Sequence, residues 1–267
     1  QQCYNLADTW VVGRFLGAEA LGAVGSSYTL MTFLTSILLG LCMGSSVYFS
    51  IQFGRRDPDR LRNGIFQSFL LIGGLTVALN LGVYLALEDI LRLLRLPAEV
   101  TPLARVYLQW VFGGIFATFL YNYFANLLRA VGDSATPLRF LGLSVALNIG
   151  LDLLFVVPLN QGIRGAALAT VLAQTVAGVG LFLHTWRAFP ALRVTRQDCR
   201  WEKAALRSLA NLSFFTCLQQ SVMNFGILLV QGLVNSFGTA VMAAFAVAVK
   251  IDTLAYMPVQ AFGTAFS

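Results

Sequence analysis

Long apolar stretches alternate along this chain with short clusters of charged and turn-forming residues. A helix that crosses a bilayer needs ~20 apolar residues in succession. Cutting at the charged clusters leaves eight expected helices: the part of the first within 1–13, then about 20–53, 63–87, 102–130, 137–157, 163–186 and 207–235, and an eighth from about 239. The breaks read GRFLGAE, GRRDPDRLR, EDILRLLRLPAEV, RAVGDSATP, VPLNQGIRG and RAFPALRVTRQDCRWEK. In RAVGDSATP, Gly132 suits the end of the fourth helix and Pro137 the opening of the fifth. The shortness of VPLNQGIRG makes the fifth and sixth helices antiparallel neighbours. Continuous apolar runs of this length do not suit the alternating strands of a membrane barrel. The pattern is that of an all-α polytopic membrane protein.

Composition sharpens this reading. Hydrophobic residues make up 57% and charged residues 11%, against ~25% charged in soluble domains, and the mean hydropathy is +0.73. The net charge of +6 has a membrane explanation. Twelve of the eighteen Lys and Arg fall in the loops after the second, fourth and sixth helices, five lie on the opposite side, and Lys250 is intramembrane. Positive residues gather on the cytoplasmic side, so the chain is expected to be multi-pass in the inner (cytoplasmic) membrane with its N-terminus in the cytoplasm. That distribution accounts for the charge without nucleic acid. Cys3, Cys42, Cys199 and Cys217 show no disulfide or metal spacing. Walker loops, HExxH and Gly-x-Ser-x-Gly are absent, so neither an enzyme nor an ATP-driven pump is expected. The chain opens on QQCYNLADTW, without an initiator Met, and closes on VQAFGTAFS; it is expected to be a fragment. A faint internal repeat pairs Gln1 with Gln219 and Gly17 with Gly238, as in transporters built from repeated halves.

Ionisable residues inside a membrane are costly and mark function. Four fall well inside the expected helices: Asp8, Asp152, Lys250 and Asp252. Asn148 precedes Asp152 by four residues, so the two share a helix face. Thr170 and Gln174 form a similar pair on the sixth helix, and Tyr4 and Asn5 accompany Asp8. Carboxylates, an amide and a hydroxyl together can ligate Na⁺ through oxygen. They can equally take up a proton, because burial and a second carboxylate both disfavour the charged form. The structural alternative is hydrogen-bonded packing between helices. Asn122 and Asn126, near Tyr121 and Tyr123, either line a cavity or bind a neighbouring helix. His184 falls near a helix end, at the interface, and Lys250 and Asp252 do not share a face.

The stretches YNLADTWVVGRFLG, LLRAVGDSATP and NIGLDLLFVVPLNQGIRGAALAT resemble the multidrug and toxic compound extrusion (MATE) transporters, of the DinF-like and prokaryotic type. LQQSVMNFGILLVQGLVNSFG and AAFAVAVKIDTLAYMP extend the resemblance toward the end of the chain. It implies a MATE-like fold of twelve helices in two six-helix lobes, of which this chain holds one lobe and the first two helices of the second. Residues 1–190 are then the first lobe, 191–206 a basic cytoplasmic inter-lobe loop, and 207–267 the start of the second lobe. The implied activity is H⁺- or Na⁺-coupled antiport of organic, often cationic or amphipathic compounds. Asp8, Asn148, Asp152 and Thr170 match the cation-coupling positions, and Gln1, Tyr4, Asn122 and Asn126 match cavity positions. Where one branch carries an acidic residue in the seventh helix, this chain has Gln219 and Gln220. The implied partners are small organic substrates and the lipid bilayer, with no cofactor beyond the coupling ion and a monomer when complete. The alternative is a lipid-linked precursor flippase of related fold, which would need a cavity more cationic than Lys250 alone provides. An intramembrane aspartyl protease would carry YD and GxGD, where this chain has LAD and GLD.

Overall fold

The computed structural model describes residues 10–93 and 100–235. It divides into two compact units, Gln1–Gln220 and Ser221–Ser267, and the first holds the described helices up to Gln220. After a helical turn over 10–15 come α1 (Ala18–Gly54), α2 (Pro58–Leu93), α3 (Thr101–Gly113), α4 (Ile115–Ala130), α5 (Ala135–Val156), α6 (Gly162–Ala188) and, after a short 3₁₀ turn at Pro190–Leu192, α7 (Lys203–Asn235). Four of these are unbroken helices long and apolar enough to cross a membrane, and α3 and α4, bent by 46° at the break, are together long and apolar enough for a fifth.

That bend departs from the single helix expected over 102–130. It falls at Gly113–Gly114, the kind of site where helices break. A Cβ on Gly114 would lie 2.5 Å from the side chain of Val171 on α6, so α6 occupies the space a side chain would need. The third expected helix also runs on to Leu93 rather than stopping near 87. Glu88 there pairs with Arg105 of α3 at 2.7 Å.

The α4–α5 turn forms as its residues direct. Gly132 takes φ 93°, and the N–H groups of Gly132 and Asp133 reach back to the carbonyls of Arg129 and Leu128. That is a Schellman end, which a left-handed glycine allows. Asp133 then caps α5 by accepting from the Thr136 N–H at 3.0 Å. The same bonds hold its carboxyl below the usual range.

The apolar core lies at two levels. One cluster joins the start of α1 to the end of α2, α3 and the facing ends of α5 and α6; the other joins the end of α1 to the start of α2, α4, the end of α6 and the start of α7. Only Val156 of α5 is a fully buried member of either.

The segment between α6 and α7 is tied to α2. Asn63 donates to the carbonyls of Asp198 and Arg200 at 2.9 and 2.7 Å, and Gln67 donates to Arg200 at 3.0 Å. The Asp198 carboxylate accepts from the Thr195 backbone and hydroxyl and pairs with Arg62 at 3.2 Å.

Candidate cation-coupling site

α5 carries polar residues inward and apolar ones outward. Ser144, Asn148 and Asp152 recur every four residues and are 2%, 0% and 0% exposed. Leu138, Leu143, Leu153 and Leu154 are exposed. In water the reverse would be stable. Against hydrocarbon, polar side chains must gather inside the protein.

α5 packs more extensively on α6 than any other pair of helices described. Phe155 sits where a Cβ on Gly165 would be, and Phe140 where one on Gly180 would be. Both helices advance equally between those contacts, so position 150 is level with Thr170, between Asn148 and Asp152. Thr170 is buried and donates its hydroxyl hydrogen to the Ala166 carbonyl at 3.0 Å. Its oxygen lone pairs remain to accept or to ligate. Gln174 lies one turn further along the same face.

Both amide atoms of Asn148, the Ser144 hydroxyl and the Gln174 Oε1 are buried with no hydrogen-bond partner among the described residues. Each such group costs about 1–3 kcal/mol, so their concentration at one level of two adjoining helices calls for an explanation. Packing through hydrogen bonds would engage Asn148, and the described residues do not. Oxygen donors beside a buried carboxylate suit a small hard cation or a carboxyl that gains and loses a proton.

Asn122 and Asn126 are also buried, but each turns its amide onto its own helix, toward the Thr118 and Asn122 carbonyls at 2.8 Å. Their side-chain oxygens are left available for another partner. Asp8, Gln1, Tyr4, Lys250 and Asp252 lie outside the described residues. Ser144 was not among the expected site residues. Its spacing from Asn148 and Asp152 on an otherwise apolar helix was the signal that could have found it.

The profile of the MatE family matches residues 1–154, more than half of the chain. The chain belongs to the MatE family. This MatE protein is 35% identical over 266 residues to the probable multidrug resistance protein YpnP of Bacillus subtilis, a match covering 99% of this chain and 59% of YpnP. It also superposes on a MATE-family transporter described as outward-facing, at TM-score 0.87, and on one described as inward-facing, at 0.84. Each is 26% identical to it, over 97% and 96% of this chain and 58% of the other. The MatE chain thus spans just under three-fifths of the length of these relatives.

Proposed function

We propose that this chain is part of a cation-coupled antiporter that exports organic compounds, often cationic or amphipathic, across the cytoplasmic membrane by alternating access. The observation that carries the reading is the buried face of α5. Ser144, Asn148 and Asp152, with Thr170 level on α6, put a carboxylate among unsatisfied polar atoms inside a membrane helix pair. The names of its relatives support efflux, and solved relatives described as inward- and outward-facing support alternating access.

In this reading Asp152, Asn148 and Thr170, together with Asp8, bind H⁺ or Na⁺. Asn122, Asn126, Gln1 and Tyr4 line the substrate path. Residues 1–190 form one lobe, 191–206 the cytoplasmic inter-lobe loop and 207–267 the start of the second lobe, with the basic ends of the helices in the cytoplasm. The protein works as a monomer and needs no cofactor beyond the coupling ion. Cation binding favours the conformation that holds substrate less well, and by linkage substrate weakens cation binding by the same factor.

The test is dye movement in inverted vesicles containing the intact protein, driven by a Na⁺ gradient alone or a pH gradient alone. Wild type should move dye under one of them, which names the ion. Asp152→Asn, inserted at the same level, should not. An Asp152→Asn protein that transports like wild type would overturn the site assignment, and a wild type inert under both gradients would overturn antiport.

A further inference from the structure

At the end of the first unit where the basic loops gather, an apolar cleft of about 240 Å³ is lined by Phe66, Phe69 and Leu70 of α2, Phe182 and Trp186 of α6, and Val194. Two surface stripes say what medium it faces. On α6, Leu172, Val176, Val179, Leu183 and Trp186 recur every three or four residues, and all are exposed. On α2, Leu70, Val77, Leu81 and Tyr84, spaced seven, four and three residues apart and so on one helix face, are also exposed. In a membrane protein such stripes are the faces turned to lipid. Leu70 and Trp186 end the two stripes and also line the cleft, so it opens to the bilayer.

Its rim is cationic. Arg193 donates Nε to the Trp186 carbonyl at 2.6 Å and Nη2 to the Arg187 carbonyl at 3.4 Å. These bonds fix the guanidinium beside the cleft and leave its remaining N–H groups for an anion. Asp198, five positions along the chain, is already engaged by Arg62 and Thr195. Arg187 and Arg196 add positive charge in the same stretch of chain. Inside the cleft, the Thr185 hydroxyl is spent on the Leu181 carbonyl at 2.7 Å. An apolar slot narrower than the roughly 300 Å³ of a drug-sized pocket, with a Trp and an Arg at its mouth, suits a hydrocarbon chain ending in a phosphate.

We propose that this cleft holds an acyl chain of an anionic phospholipid whose phosphate is bound by Arg193. The experiment uses the intact protein with Trp186 as its sole tryptophan, every other one replaced by Phe, reconstituted with phospholipids brominated on the acyl chain. Brominated phosphatidylglycerol should quench Trp186 at roughly fivefold lower mole fraction than brominated phosphatidylcholine, as expected for one well-placed arginine. Arg193→Gln should abolish that preference, and Arg193→Lys should retain most of it. Val194→Phe narrows the slot and should weaken quenching by both lipids. Equal quenching by the two lipids, or a preference that survives Arg193→Gln, overturns the phosphate site. Quenching unchanged by Val194→Phe overturns the acyl slot, and that arm decides even if the arginine variants fail to fold.

Discussion

A Cβ on Gly44 of α1 would collide with the Cα of Ser213 on α7 and lie 2.7 Å from the Leu212 carbonyl oxygen, so the two backbones meet with no side chain between them. One turn earlier, Gly40 stands in the same relation to Cys217. Ser213 donates to the Leu41 carbonyl at 3.2 Å, which leaves Ser45 to donate to the Ser213 hydroxyl at 3.2 Å. Small residues and hydroxyls together make a close membrane helix crossing. In the proposed scheme it joins the first lobe to the start of the second.

Enlarging this crossing should be costly. Gly44→Leu is expected to destabilise the solubilised protein by about 1–3 kcal/mol, as overpacking does, seen as a lower thermal midpoint. Gly40→Ala should lower it as well, since a Cβ there would lie 2.6 Å from the Cys217 Cα, a backbone atom that cannot rotate out of the way.

Asn148→Leu separates a coupling role from a packing role. Replacing a buried amide that has no partner among the described residues with an apolar side chain of similar size should leave the thermal midpoint unchanged or raise it. Gradient-driven efflux should nevertheless be lost. A large drop in midpoint would show that Asn148 holds helices together.

Gly114 and Val171 compete for one space between α4 and α6. Gly114→Ala puts a methyl where the valine side chain sits and should cost about 1–3 kcal/mol. Val171→Ala opens that space, so the double variant should recover most of the loss. Strictly additive effects in a double-mutant cycle would mean that the two positions do not compete.

Asp198 should anchor the loop before α7 in a pH-dependent way. Burial alone would raise its carboxyl, but hydrogen bonds from Thr195 and the charge of Arg62 outweigh it and hold the group below its ordinary value of 3.8. A carboxyl depressed by folding stabilises the fold above its unfolded value and loses that contribution as pH falls through the folded one. The anchor is therefore complete at neutral pH and weakens only below about pH 4. Amide hydrogen exchange over 195–200 should speed up severalfold in Asp198→Asn at pH 7. In wild type, after correction for intrinsic rates, it should rise only at the acid end.

Read along the chain, the apolar runs sufficed for the membrane class and for the helices now seen at Ala18–Gly54, Ala135–Val156 and Gly162–Ala188. The end of α4 at Gly132 was legible because a Schellman end is local, needing one glycine in the right place. The shared face of Asn148 and Asp152 was legible because four residues make about one helical turn. Along one helix, composition and spacing are enough.

Relations between helices were not written there. The spacing of Ser144 showed its face, but whether that face is buried depends on α6 lying against it. The space beside Gly114 is filled by Val171, fifty-seven positions later, and the loop anchor pairs Arg62 with a carboxylate far along the chain. Gly40 and Gly44 stand one helical turn apart in the sequence, but nothing there names Ser213 and Cys217 as the surface they meet. Local periodicity by itself determined which segments are helices and which residues are polar within them. Only the tertiary structure decided which faces meet, because that depends on how several helices together exclude lipid and share their few hydrogen-bonding groups.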